Sequence, residues 1–129
     1  MESKTRVRSG SPYEERFGFC RAMRIGARVL VAGTAPIGPD GSCPATAAEQ
    51  ALLCWEIIQN ALEEVGASCD DVVRTRMLLV DAADADAVGE VHGEFFRTAM
   101  PVSTMVVIGG LLDPRWRIEV EAEAFAPAP

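Results

Sequence analysis

Histidine is almost missing from this chain: His92 is the one example in 129 residues, and the four cysteines, Cys20, Cys43, Cys54 and Cys69, never fall in CxxC spacing. A structural zinc site needs ligands closer together than this, so no metal is implied and the thiols read as reduced. Cys54 reads as core and Cys43 and Cys69 as loop. Only Cys20, beside a candidate cleft, has the setting of a reactive thiol. Basic residues are also short: 12 Lys and Arg against 19 Asp and Glu leave a net charge of −7, which argues against nucleic acid as a partner. No apolar run approaches the roughly 20 residues of a membrane span, and residues 1–6 are polar and lack the apolar core of a signal peptide. No membrane partner, no cofactor and a cytoplasmic location are expected.

What the chain does have is enough apolar residue for one core. Hydrophobic residues make up 49% and charged residues 24%, and neither a repeat nor a linker interrupts residues 1–129, so a single α+β domain is expected. After a polar lead-in ending at Gly10-Ser11-Pro12, residues 19–24 alternate as a strand, with Phe19, Arg21 and Met23 on one side. Gly26-Ala27 turns this into a second strand over 28–34, a β-hairpin. Thr46-Ala47-Ala48-Glu49 is a capping box. It opens a helix whose stripe is Leu53, Cys54, Ile57, Ile58, Ala61, Leu62 and Val65, stopped by Gly66. Residues 72–80 return to strand. A second helix begins near the acidic residues 81–84, runs along Val88, Val91, His92, Phe95 and Phe96, and ends at Met100-Pro101. Strands over 102–108 and 116–125 follow, and the tail Ala126-Pro127-Ala128-Pro129 is expected not to pair.

Several landmarks recur in order along this pattern: Gly18-Phe19-Cys20-Arg21-Ala22, Val29-Leu30-Val31-Ala32-Gly33-Thr34, Ala61-Leu62 with Gly66-Ala67, Gly93-Glu94-Phe95-Phe96, Pro101, and Ile118-Glu119-Val120-Glu121-Ala122. With them the chain resembles the RidA/YjgF family of small trimeric imine/enamine deaminase-like proteins, also described as endoribonuclease L-PSP-like. The resemblance implies a chorismate-mutase-like fold, a mixed sheet with two helices packed on one face, and a homotrimer with a ligand cleft at each subunit boundary. It also implies site residues. The strand-two glycine, whose carbonyl accepts from the substrate nitrogen, is Gly33, and the glutamate that positions water is Glu119.

Elsewhere the chain departs from the family pattern. The arginine that holds a substrate carboxylate is Ser103, the strand-one tyrosine is Phe19, the serine before the glycine is Ala32, the helix-two asparagine is Gly89, and the small polar residue after the arginine is Met105. These replacements make the implied pocket apolar and remove its carboxylate anchor. Two residues are placed to refill it. Arg21 enters the cleft, or else pairs with Glu119, Glu121 or Glu123. His92, one helical turn after Gly89, is a general acid/base candidate, or else a satisfied boundary histidine.

Three functions compete at this point. A hydrolase would act on a small, mostly apolar enamine or imine with Glu119 activating water. A non-catalytic trimer would bind or sense a small-molecule ligand in the same clefts. A ribonuclease or translation inhibitor is the third, disfavoured by the acidic surface and the missing arginine.

Overall fold

The computed structural model describes residues 3–127, so Ala128 and Pro129 of the expected unpaired tail, and Met1 and Glu2 of the polar lead-in, lie outside the described residues. Six strands form one sheet in the order β1-β2-β3-β6-β4-β5: β1 Lys4–Val7, β2 Ala22–Ile25, β3 Arg28–Thr34, β4 Val72–Leu79, β5 Val102–Val107 and β6 Ile118–Phe125. All neighbours run antiparallel except β4 and β5, which makes the sheet mixed. That one parallel pair is imposed by helix α3, Ala85–Phe96, which carries the chain back between its strands.

Helix α2, Ala47–Glu64, opens on the expected capping box, with Thr46 accepting from the Glu49 N–H at 3.2 Å. It lies against β3 and β6 and packs beside α3, where Trp55 meets Phe96 and His92 at ring-centroid distances of 4.7 and 5.7 Å. Beneath the helices Val29 and Val31 of β3 join Ile118, Val120, Ala122 and Ala124 of β6, all buried, as the period-2 pattern requires. The opposite side chains of the sheet are charged. Arg74 and Arg28 reach Glu123, and Arg76 reaches Glu121, at 3.5–3.6 Å, in half-exposed pairs.

The lead-in corrects the sequence reading. It contains β1, which pairs with β2, and it runs into a short helix that the sequence reading left unassigned, α1, Pro12–Phe17, capped by the Ser11 hydroxyl and ended by Gly18 at φ 78°. Residues 19–21 precede β2 rather than belong to it, although the Arg21 N–H still reaches the Val7 carbonyl at 2.8 Å. The start of the tail pairs as well, since the Ala126 N–H donates to the Ala27 carbonyl. On β3 the register against β6 slips between Val31, opposite Ala122, and Thr34, opposite Val120, so one extra residue bulges out there. No helix among the described residues is long and apolar enough to cross a membrane.

Candidate functional site

The bulge and α1 together open a cavity of about 570 Å³ between α1, the flank of α2 and the loops that follow β3 and precede β6. Leu53 and Ile57, which the sequence places in the core stripe, sit on the α2 flank and line this cavity, while the core position is taken by Trp55, fully buried. Trp116 forms a second wall. It is held there by Gln50, whose amide accepts from the Arg117 N–H at 2.7 Å and donates to the Arg115 carbonyl at 2.9 Å and the Pro44 carbonyl at 2.8 Å. A buried glutamine amid an apolar helix face is the sequence signal that was available for this staple.

Phe19, Arg21, Gly33 and Glu119 all line the cavity. Glu119 is half-buried, and burial pushes its carboxyl above the usual range, with Arg21 opposing and Glu121 reinforcing the shift. Gly33 makes room for it: a Cβ there would lie 3.0 Å from Glu119 Oε2.

Arg21 is neither a free cation nor a partner of β6. Its guanidinium is buried against Glu14 of α1 at 3.3 Å and donates through Nη1 to the Gly33 carbonyl at 2.6 Å and to Thr34 Oγ1 at 3.1 Å. Glu14 in turn accepts the Ser9 N–H at 3.1 Å and the Ser9 hydroxyl. Pairing with Glu119, Glu121 or Glu123 is therefore corrected: Glu14 takes that role because α1 carries it under β2. The Gly33 carbonyl, assigned by resemblance to a substrate nitrogen, accepts a hydrogen bond from the chain itself.

The remaining sequence candidates do not join this cavity within one chain. Ala32 lines a shallow groove with Leu30, Arg74 and Arg76. His92 and Ser103 meet instead at Thr75, which is fully buried, and Gly89 lies beside Met105. The parallel register sets Ser103 beside Thr75 and Met105 beside Met77. The Thr75 hydroxyl bridges Ser103 Oγ at 2.7 Å and His92 Nε2 at 2.8 Å, and a Cβ on Gly89 would come within 3.9 Å of Met105 Cε. Burial lowers the pKa of His92, which keeps the imidazole neutral at pH 7. Thr75 was legible in the sequence only as a strand residue; its bridging role follows from the parallel pairing.

The family model for Endoribonuclease L-PSP matches residues 12–126. The chain belongs to this family, which also bears the names YjgF and RidA. An uncharacterized protein of Streptomyces coelicolor, SCO2049, is 41% identical over 128 residues, 98% of this chain and 96% of its own length. The crystal structure of Rv2704 from Mycobacterium tuberculosis, a member of the YjgF/YER057c/UK114 family, superposes with a TM-score of 0.88 at 40% identity, covering 96% of this chain and 100% of that one. The 2-iminobutanoate/2-iminopropanoate deaminase of mouse is 25% identical over 109 residues, 82% of this chain and 79% of its own length. The α+β fold expected from the resemblance is the fold of this family.

Proposed function

We propose that this YjgF/RidA family protein binds a small, largely apolar metabolite in the α1–α2 cavity and hydrolyses an enamine or imine there. The observation that carries the reading is Glu119, a half-buried carboxylate with a raised pKa, to which no described residue donates a hydrogen bond, set in a mainly apolar cavity. Such a group takes a proton from water more readily than an exposed carboxylate. An enamine first tautomerises to the imine, its nitrogen giving up a proton and its β-carbon gaining one; the water oxygen then adds to the C=N carbon, Glu119 accepts the water proton and returns it to nitrogen, and the carbinolamine passes its hydroxyl proton to nitrogen as ammonia leaves and the carbonyl forms. With Ser103 in place of the family arginine, 2-imino acids lose their carboxylate anchor and are poor substrates.

The reading includes a homotrimer. Val102 and Val106 share one face of β5 and are 61% and 42% exposed beside the charged pairs of β4 and β6, apolar side chains that a second copy would cover. The family resemblance sets the ligand cleft at a subunit boundary, and Ser103, exposed on β5, would meet the cavity of the next copy there.

A second reading has its own support. The Gly33 carbonyl and the Arg21 guanidinium already satisfy each other, which suits a binding or regulatory trimer that retains the cavity without the chemistry. The family name raises a third, ribonuclease activity, which the net charge of −7 disfavours. An ammonia-release assay on enamines without a carboxylate and on 2-aminoacrylate decides among them, run with the unmodified protein and with Ser103→Arg. Release from the enamines without a carboxylate supports hydrolysis, and release from neither supports the binding reading. Strong turnover of 2-aminoacrylate by the unmodified protein overturns the argument from Ser103.

A further inference from the structure

The charge of the cavity is one-sided. Its ionisable lining comprises Glu119, Glu56 and Asp40 against a single base, Arg21. Arg21 is already neutralised: Glu14 takes its Nε and Nη2 at 3.3 Å, and the Gly33 carbonyl and the Thr34 hydroxyl take Nη1. Releasing this guanidinium to a ligand would strand the buried Glu14 carboxylate, so it is not available as an anion anchor. When ionised, Glu119 has no counter-ion at hydrogen-bond distance among the described residues, and Arg21 acts on it only across space.

The walls suit a cation as well. Phe17, Tyr13 and Trp116 form a run of rings with centroids 5.8 and 5.9 Å apart. Two ring faces in the same region already receive guanidinium groups, Arg16 over Phe17 at 5.1 Å and Arg21 over Phe19 at 5.5 Å. Rings attract cations through their quadrupole, and that attraction grows where water is excluded.

We infer that the cavity selects small organic cations: a protonated amine or iminium on a hydrocarbon or aryl body, its N–H groups on Glu119 and its body against Tyr13, Trp116, Leu53 and Ile57. The inference rests on the reading of this cavity as the ligand site and specifies what enters it. An anion of the same shape meets Glu119 with no free base to offset it. A neutral molecule leaves Glu119 desolvated and uncompensated.

Calorimetric titration with three molecules of nearly equal size tests this at neutral pH: 2-phenylethylamine, 2-phenylethanol and phenylacetate. The amine is expected to bind at least about ten-fold tighter than the alcohol, with phenylacetate weakest. Glu119→Gln should bring amine and alcohol to the same affinity, and Tyr13→Leu should weaken the amine more than the alcohol. Should Glu119→Gln fail to fold, the unmodified protein supplies the same information. Its preference for the amine must vanish as acid protonates Glu119, whose charged and titratable surroundings are Arg21 with Glu14 behind it, Glu121, and Cys54 of α2. Equal or tighter binding of phenylacetate, no binding of the amine, or a preference that survives loss of the Glu119 charge overturns the inference. Ammonia release from an enamine lacking a carboxylate, without amine binding, would leave hydrolysis standing while removing cation selectivity. Amine binding without turnover would do the reverse.

Discussion

At Glu119 and His92 burial acts on ionisation in opposite senses, and both can be read by titration. Glu119 has a folded pKa above its ordinary value, so it stabilises the fold most in acid, and that contribution disappears as pH rises through the folded value. Glu119→Gln is expected to leave the fold intact, raise stability at neutral pH and abolish turnover, as urea unfolding alongside the ammonia assay would establish. His92 has a lowered pKa, so the stability it confers is present above its ordinary value of about 6.5 and fails as pH falls through the folded value. His92→Gln should flatten that acid limb. A limb that persists unchanged would place its origin in another group. Glu119 was singled out in the sequence by the family resemblance, because alternation alone puts 119, 121 and 123 on the same footing. The isolation of its charge could not be read there, because the sequence offers Arg21 as its counter-ion and the fold gives Arg21 to Glu14.

Among the elements, α1 is where sequence reasoning fell short. A six-residue helix is too short to show a stripe, and the run of polar residues around it reads as a lead-in, yet Glu14 within it holds the buried guanidinium that closes one end of the cavity. Glu14→Ala should cost about 3–5 kcal/mol, the usual penalty for leaving one half of a buried pair, seen as a lower urea midpoint with an unchanged slope. Pairing Glu14→Leu with Arg21→Met should recover much of that loss, and a double variant as unstable as the single would show that the pair is not the cause. Helix α2, by contrast, announced itself through its capping box and periodicity. Its apolar stripe is broader than the core requires, and only packing decides that Trp55 goes inward while Leu53 and Ile57 face the cavity. Gln50→Ala removes the partner of the Arg117 N–H and of two carbonyls, at an expected cost of about 1–3 kcal/mol, with a changed Trp116 emission as the loop loosens.

For the molecule as a whole, order and type of the later elements were readable from residue 28 onward, since period, caps and turn residues agree there. The sheet order was not, because the insertion of β6 between β3 and β4 is a long-range choice that no local pattern encodes. The exposed Val102 and Val106 on one face of β5 make association the expected state. Sedimentation equilibrium at micromolar concentration should return three times the mass of the 129-residue chain, and a stable monomer would exclude the trimer. The slip on β3 between Val31 and Thr34 bears on how such a chain can change over generations. A strand alternates with a period of two, and the bulge accommodates one surplus residue, so shortening the chain by one between 31 and 34 would close the bulge, leave Val31 and Thr34 on the same side, and flatten the strand opposite Glu119. Substitutions here alter the chemistry by degrees, whereas a change of length removes the bulge in a single step. Descendants of this gene should therefore diverge in the identity of these positions while conserving their number.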